Sequence, residues 1–324
     1  MVWNGLPVTV WGLLALIAAM AVIPALIQND YWGTVLCTGG TYAVVAVGLN
    51  LLCGGTGQFS LGHAGFFGIG AFTAAILSTH GWPFWLDVPA GGLAAAAAGL
   101  LVGIPVLRLT GPYFAIATLA FGLLVATILG TADWAQGRTG IALNAPTLGG
   151  YTFSTTNFFW VVLVVLAIGV FVAANLRLGA TGRAFAALRD APPAAQMSGI
   201  DSARYRVIAF AISTLYAGIG GGLFAHWSLY INATSFTLSL SILFIAMIVI
   251  GGLDSVVGSV LGAAFLTALQ EALQNAGHAE LANPLYGAII VVALLFLPRG
   301  LIGAAHLLRY RGAAAALVPG DGHG

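Results

Sequence analysis

RAFAALRDAPPAAQMSGIDSARYR, residues 183–206, holds six of the nineteen charged side chains in a chain of 324 residues. Charged residues make up only 6% of the whole sequence, and hydrophobic ones 60%. A water-exposed domain carries about 25% charged residues. With so few charges, most of this surface faces lipid, and the mean hydropathy of +1.01 agrees. The charged stretch is then an excursion from the bilayer, and the apolar sequence on either side crosses it.

About 20 apolar residues cross a bilayer as a helix. Working outward, the sequence predicts spans near 8–27, 32–52, 58–78, 85–107, 109–130, 157–176, 206–229, 237–253, 257–275 and 285–303. The first has no basic residues before it and no obvious cleavage site, so it reads as a retained span. The expected fold is an all-α polytopic membrane protein of about ten helices. It forms a single transmembrane domain over 1–305, followed by a short tail over 306–324.

Arginine sets the orientation. With ten spans, Arg108, Arg177, Arg183, Arg189, Arg204, Arg206, Arg299, Arg309 and Arg311 fall on one side, and only Arg138 falls opposite. The first side is therefore expected to be the cytoplasm, with both termini there. The loop 131–156 would face outside, and 177–205 would be the largest cytoplasmic loop.

Inside that loop the local signals are specific. Asp190 is a candidate N-cap and Pro192 suits a first helical turn. Gly199 can end the helix in the left-handed conformation, and Asp201 can cap the next one. The expectation is a short ordered helix near 191–198, flanked by Arg189 and Arg204. An ordered element of this kind suits docking of a cytoplasmic partner better than simple connection does.

Two crossings are interrupted by glycine. CGGTGQFSLGHAGFFGIGAF (53–72) has seven glycines in its first eighteen residues, and AISTLYAGIGGGLFAH (211–226) has four. Such clusters either let backbones approach closely or break a helix so that polar backbone lines a cavity. Asn50, Gln58, Ser60 and His63 are the polar candidates for a translocation path.

Several chemistries are excluded or unsupported. The chain has no lysine, so it cannot contain a Gly-Lys-Ser/Thr phosphate loop, and any ATP is hydrolysed elsewhere. The six histidines show no metal spacing, no cofactor or catalytic constellation is evident, and no basic stripe suits nucleic acid. Cys37 and Cys53, roughly 24 Å apart along a helix, are not expected to pair. Asp254 is the one acid suited to ion coupling, which keeps a secondary transporter open, whereas Asp87 and Glu271 read as interfacial.

The pattern from Arg189 to Ile200 (RDAPPAAQMSGI) resembles the coupling loop of permeases in branched-chain amino-acid ABC importers. GLNLLCGGTGQFSLGHAGFFGIGAF (48–72) is similar to the signature of their LivM-type subunit. GPYFAIATLAFG (111–122), TGIALNAP (139–146) and IVIGGLDSVVGSVLGA (248–263) agree, in order along the chain. The resemblance implies a subunit of the bacterial inner membrane, paired with a second related permease. It also implies two cytoplasmic ATPase subunits, an extracytoplasmic binding protein and surrounding lipid. Arg183, Arg189, Asp190, Pro192, Ala195, Gly199 and Ile200 would then serve ATPase docking. Leucine, isoleucine and valine are the expected substrates, and urea and short amides remain alternatives.

Overall fold

The computed structural model describes residues 30–106, 111–136, 139–253 and 255–275, with isolated helical positions at 287, 288 and 291. The predicted span 8–27 lies outside these residues, as does 285–303 apart from those three positions, together with the tail, Arg108, Arg138, Asp254, Arg299, Arg309 and Arg311. The described helices are α1 (Asp30–Thr56), α2 (His63–Thr79), α3 (Phe84–Val106), α4 (Pro112–Thr131) and α5 (Thr155–Leu178). After these come α6 (Ala180–Asp190), α7 (Pro192–Met197), α8 (Ser202–Ser228), α9 (Leu238–Gly251) and α10 (Val256–Asn275).

Seven described segments are long and apolar enough to cross a membrane: α1, α3, α4, α5, α8, α9 with the turn before it, and α10. The predicted crossing at 58–78 is shortened to α2, because the chain leaves helical geometry between Gly57 and Gly62. Eight of the ten predicted spans thus have a helical counterpart.

The fold is not purely helical. Two-residue strands β1 (Ile141–Ala142), β2 (Thr147–Leu148), β3 (Tyr151–Thr152) and β4 (Tyr230–Ile231) lie in the connections after α4 and α8. β1 pairs antiparallel with β4, and β2 with β3. The connection 131–156 is therefore tied down at two places, with Leu143 N–H donating to the Leu229 carbonyl at 2.8 Å. Backbone polar groups that leave a helix need partners, and short ladders supply them.

α1 and α8 are the most enclosed of the long helices, and α4 the least. α8 packs on α1, α2 and α3, while α1 also carries α5 and α10. Glycine permits this closeness. A Cβ on Gly221 of α8 would lie 1.9 Å from the Phe67 carbonyl oxygen of α2. A Cβ on Gly218 would lie 2.6 Å from the Gly91 carbonyl of α3. Where lipid offers no hydrophobic drive between helices, such close van der Waals packing holds them together. Fully buried Phe67 fills the space beside it, with Tyr42, Phe224, Phe236 and Phe244 around its ring.

The two ends of the bundle differ in chemistry. Exposed Tyr31, Trp32, Trp82, Trp85, Trp134, Tyr151 and Trp160 all lie at the end where α1, α3 and α5 begin. This is the aromatic belt expected at a membrane interface. The five described arginines, Arg177, Arg183, Arg189, Arg204 and Arg206, gather at the other end.

Asp87 departs from its interfacial reading. It does lie in the first turn of α3, but the protein encloses it completely and places its Oδ1 2.8 Å from His226 Nε2 of α8. Burying an acid is tolerable only with such a partner. Glu271 instead accepts a hydrogen bond from the Tyr31 hydroxyl. Cys37 and Cys53 are buried and unpaired as disulfides.

Candidate functional site: the interrupted crossing and the arginine-rich corner

The break between α1 and α2 is held by groups from other helices. Gly57 takes φ +73°, which turns the chain out of α1. Leu61 N–H then donates to Thr118 Oγ1 of α4 at 3.1 Å. Ala64 N–H, in the first turn of α2, donates to Ser241 Oγ of α9 at 2.9 Å. No side chain of the local sequence caps α2, and hydroxyls from other helices take one of its first-turn amides and one amide of the break.

His63 closes the arrangement. Its Nδ1 lies 2.9 Å from Ser60 Oγ and its Nε2 2.7 Å from Ser213 Oγ, near the middle of α8. Both contacts are buried, with Phe66 and Phe210 edge-on to the imidazole. A neutral imidazole carries one donor and one acceptor, and two hydroxyls can satisfy both. Gln58 is nearly buried beside Thr56, and its Nε2 has no hydrogen-bond partner among the described residues.

Of the four path candidates, Ser60 and His63 are therefore brought together, Gln58 lies at the start of the same break, and Asn50 stands apart. Asn50 is a brace: its Nδ2 donates to the carbonyls of Gly252 (3.1 Å) and Ser255 (2.9 Å) and to Ser259 Oγ. Its Oδ1 accepts from Arg177 Nη2 at 3.3 Å. It fastens the end of α1 to the turn between α9 and α10.

Beside the break, α2, α4, α9 and the turn before α9 enclose a groove of about 380 Å³. Its walls include Gly65, Gly122, Ala126, Gly130, Thr237 and Ser241, and no charged side chain lines it. Half-exposed Leu123 and Leu238 place it on the flank of the bundle. The small residues make room and the hydroxyls give scattered polar contacts, which suits passage of a small amphipathic solute. Sequence reasoning missed Thr118, Ser213 and Ser241, hydroxyls in apolar helices whose local sequence does not say which distant backbone group they meet.

At the arginine-rich end, α6 and α7 form a helical corner. α6 buries Ala184, Phe185 and Leu188, and Phe185 meets Tyr205 of α8 edge-on. α7 runs Pro192–Met197, within the predicted 191–198. It ends as the sequence indicates: Gly199 has φ +82°, its N–H donates to the Gln196 carbonyl, and Ile200 N–H donates to the Ala195 carbonyl. That pair of bonds is a Schellman motif. Asp201 caps α8, accepting from Ala203 and Arg204 N–H.

Asp190 does not act as the predicted cap. It is the last residue of α6, the N-cap position of α7 is Ala191, and the Asp190 carboxylate takes Arg189 Nε at 2.9 Å. The Pro-Pro start leaves fewer amides to cap, so the acid is released for its neighbour. Met197 is 91% exposed, while Ala195 is buried beneath it. Arg183 is exposed and donates to the Leu178 carbonyl at 3.3 Å.

An interrupted apolar crossing, a groove beside it and an ordered polar corner at one membrane face together define a multi-pass membrane permease. The chain belongs to the family described as branched-chain amino acid transport system / permease component, whose pattern matches residues 31–294. It is 35% identical over 288 residues to the high-affinity branched-chain amino acid transport system permease protein LivM of Escherichia coli (strain K12). That match covers 81% of this chain and 67% of LivM. It is 24% identical over 303 residues to the corresponding LivH protein of Salmonella typhimurium, covering 86% of this chain and 95% of LivH. A similar protein, BraD of Pseudomonas aeruginosa, is 26% identical over 294 residues, covering 83% of this chain and 93% of BraD. No solved structure matches the chain.

Proposed function

We propose that this chain is one of two permease subunits of an ATP-driven importer of branched-chain amino acids in a bacterial inner membrane. The observation that carries the reading is the α6–α7 corner, a capped and ordered element among five arginines, in a chain that has no lysine for a phosphate loop of its own. A connection between two crossings does not need a Schellman motif, but a lever does. Family membership and the LivM and LivH relatives support the substrate class.

In this reading ten spans cross the membrane, with both termini and the arginine-rich end in the cytoplasm. Two ATPase subunits dock on the α6–α7 corner through Arg183, Asp190, Pro192, Gly199 and Ile200, with Ala195 fixing the corner from beneath. A second, related permease covers the groove on the flank, and an extracytoplasmic binding protein delivers substrate at the aromatic end. Gln58, Ser60 and His63 stand where access switches from one side to the other, and Asn50 holds the fixed side of that break.

The test is uptake of labelled leucine by cells with and without this chain. Uptake that requires the chain, survives collapse of the proton gradient and stops when ATP is depleted is expected. Uptake that fails with the gradient while ATP is held would replace this reading with an ion-coupled transporter.

A further inference from the structure

Arg189 belongs to the cytoplasmic corner, yet its guanidinium turns inward. Its Nη1 donates to the carbonyl of Gly54 at 2.8 Å, across 135 residues of sequence. Gly54 lies in the last turn of α1, where carbonyls have no helical partner and the helix dipole presents negative charge. An arginine there is a C-cap supplied by a different helix. Its stem rests over Gly57, where a Cβ would lie 3.4 Å from Arg189 Cγ. The Phe185 ring, one turn earlier on α6, meets Gly55 with 3.3 Å to an added Cβ.

The opposite side of the same turn is held by different groups. A Cβ on Gly54 would lie 1.6 Å from the Leu253 carbonyl, between α9 and α10. Arg177 of α5 donates to that Leu253 carbonyl at 3.2 Å and to Asn50 Oδ1. The end of α1 is thus gripped twice, by Arg177 from the membrane helices and by Arg189 from the cytoplasmic corner. Between the two grips is a cleft of about 150 Å³ lined by Leu51, Gly55, Gly182 and Ala186 as well as both arginines. The next residue with unusual backbone is the left-handed Gly57 at the start of the break.

We infer that Arg189 is a positioning residue that carries displacement of α6–α7 into the Gly57–Gly62 break, through its bond to the Gly54 carbonyl, and is not a contact for the ATPase. The inference rests on the importer reading, because that reading says what moves α6–α7. A guanidinium suits the task, since it can hold the Gly54 carbonyl and the Asp190 carboxylate at once with a rigid fork. Lysine would keep the charge and lose the fork.

The test uses the full chain co-expressed with its ATPase subunits, comparing wild type, Arg189→Gln and Arg189→Lys. Three quantities are read: ATPase co-purified per permease, ATP hydrolysed, and leucine taken up per ATP. Arg189→Gln is expected to retain the ATPase and to lower uptake per ATP by about tenfold, the scale of one lost charge-assisted hydrogen bond. Arg189→Lys, which keeps charge and stem, is expected to fall between, and decides the matter by the same ratio if the Gln chain does not accumulate. An unchanged ratio with the ATPase retained overturns the inference. Loss of the ATPase also overturns it, by making Arg189 a surface contact. Failure of ATP-dependent uptake in the wild type is a separate outcome, and it removes the importer reading itself.

Discussion

Asp87 Oδ1 and His226 Nε2 stand 2.8 Å apart, with the Asp87 side chain fully enclosed and that of His226 2% exposed. The pair joins the first turn of α3 to the last turn of α8, and Phe84 and Phe158 pack on the imidazole. Among the described residues, Asp87 Oδ2 and His226 Nδ1 have no further hydrogen-bond partner. The two residues therefore depend on each other.

Asp87→Ala should leave an imidazole buried without its acceptor, and should lower stability by about 3–5 kcal/mol. His226→Ala should strand the buried carboxylate without its donor, at a similar cost. The double variant that combines Asp87→Leu with His226→Phe should be less damaging than either single truncation, because no buried polar group is stranded. Thermal unfolding of the purified chain in detergent checks this. Additive losses in the double variant would show that the pair is not coupled.

The glycines divide by what surrounds them. Gly221→Ala should push α8 from α2, since the added Cβ meets a carbonyl oxygen at 1.9 Å, and folded yield should drop sharply. Gly130→Ala should be tolerated within about 0.5 kcal/mol, because its nearest neighbour is the Ala233 Cβ at 3.5 Å. Accumulation in the membrane and melting temperature, measured side by side, give the comparison. Equal effects would contradict the close approach of α8 to α2.

The borrowed caps of the break give a third expectation. Ser241→Ala removes the acceptor of Ala64 N–H, and Thr118→Val removes that of Leu61 N–H. Each should cost about 1–3 kcal/mol for the stranded amide, even though both new side chains suit an apolar helix. Hydrogen exchange at residues 61–64 should accelerate in both variants, and slow exchange there would argue against the caps.

Gly199 has φ +82° with nothing within 4 Å of an added Cβ, so within this chain backbone conformation, and not space, calls for glycine there. Gly199→Ala should loosen α7 by about 1–2 kcal/mol, the cost of left-handed backbone for a residue with a Cβ. Gly199→Asn should cost less. Membrane accumulation should stay normal in both, while ATPase co-purification falls in the order Gly, Asn, Ala. A Gly199→Ala chain that retains full ATPase would show that α7 order does not matter for docking.

Much of this was legible in sequence because it depends on local signals. The apolar run length gave α1, α3, α4, α5, α8, α9 and α10, the described helices long enough to cross. Pro192, Gly199 and Asp201 gave the short helix, its end and the next cap, because each acts on backbone within a few residues. Asp190 misled, since a good cap residue was already paired to Arg189 and a Pro-Pro start needed no cap. Asn50 braces α1 against carbonyls more than 200 residues away, and no local signal could have named them.

What the sequence by itself determined is that this chain lives in lipid, where its described long apolar helices run, and where an ordered charged corner lies among the described residues. Hydropathy, arginine placement and turn residues are additive local quantities, and they need no knowledge of neighbours. Only the tertiary structure decided that Thr118, Ser213 and Ser241 would satisfy the break, that His226 would hold Asp87, and that Arg189 would cap α1. In a low-dielectric interior every stranded polar group is costly. A partner is therefore strongly favoured, but which helix provides it is fixed by packing alone.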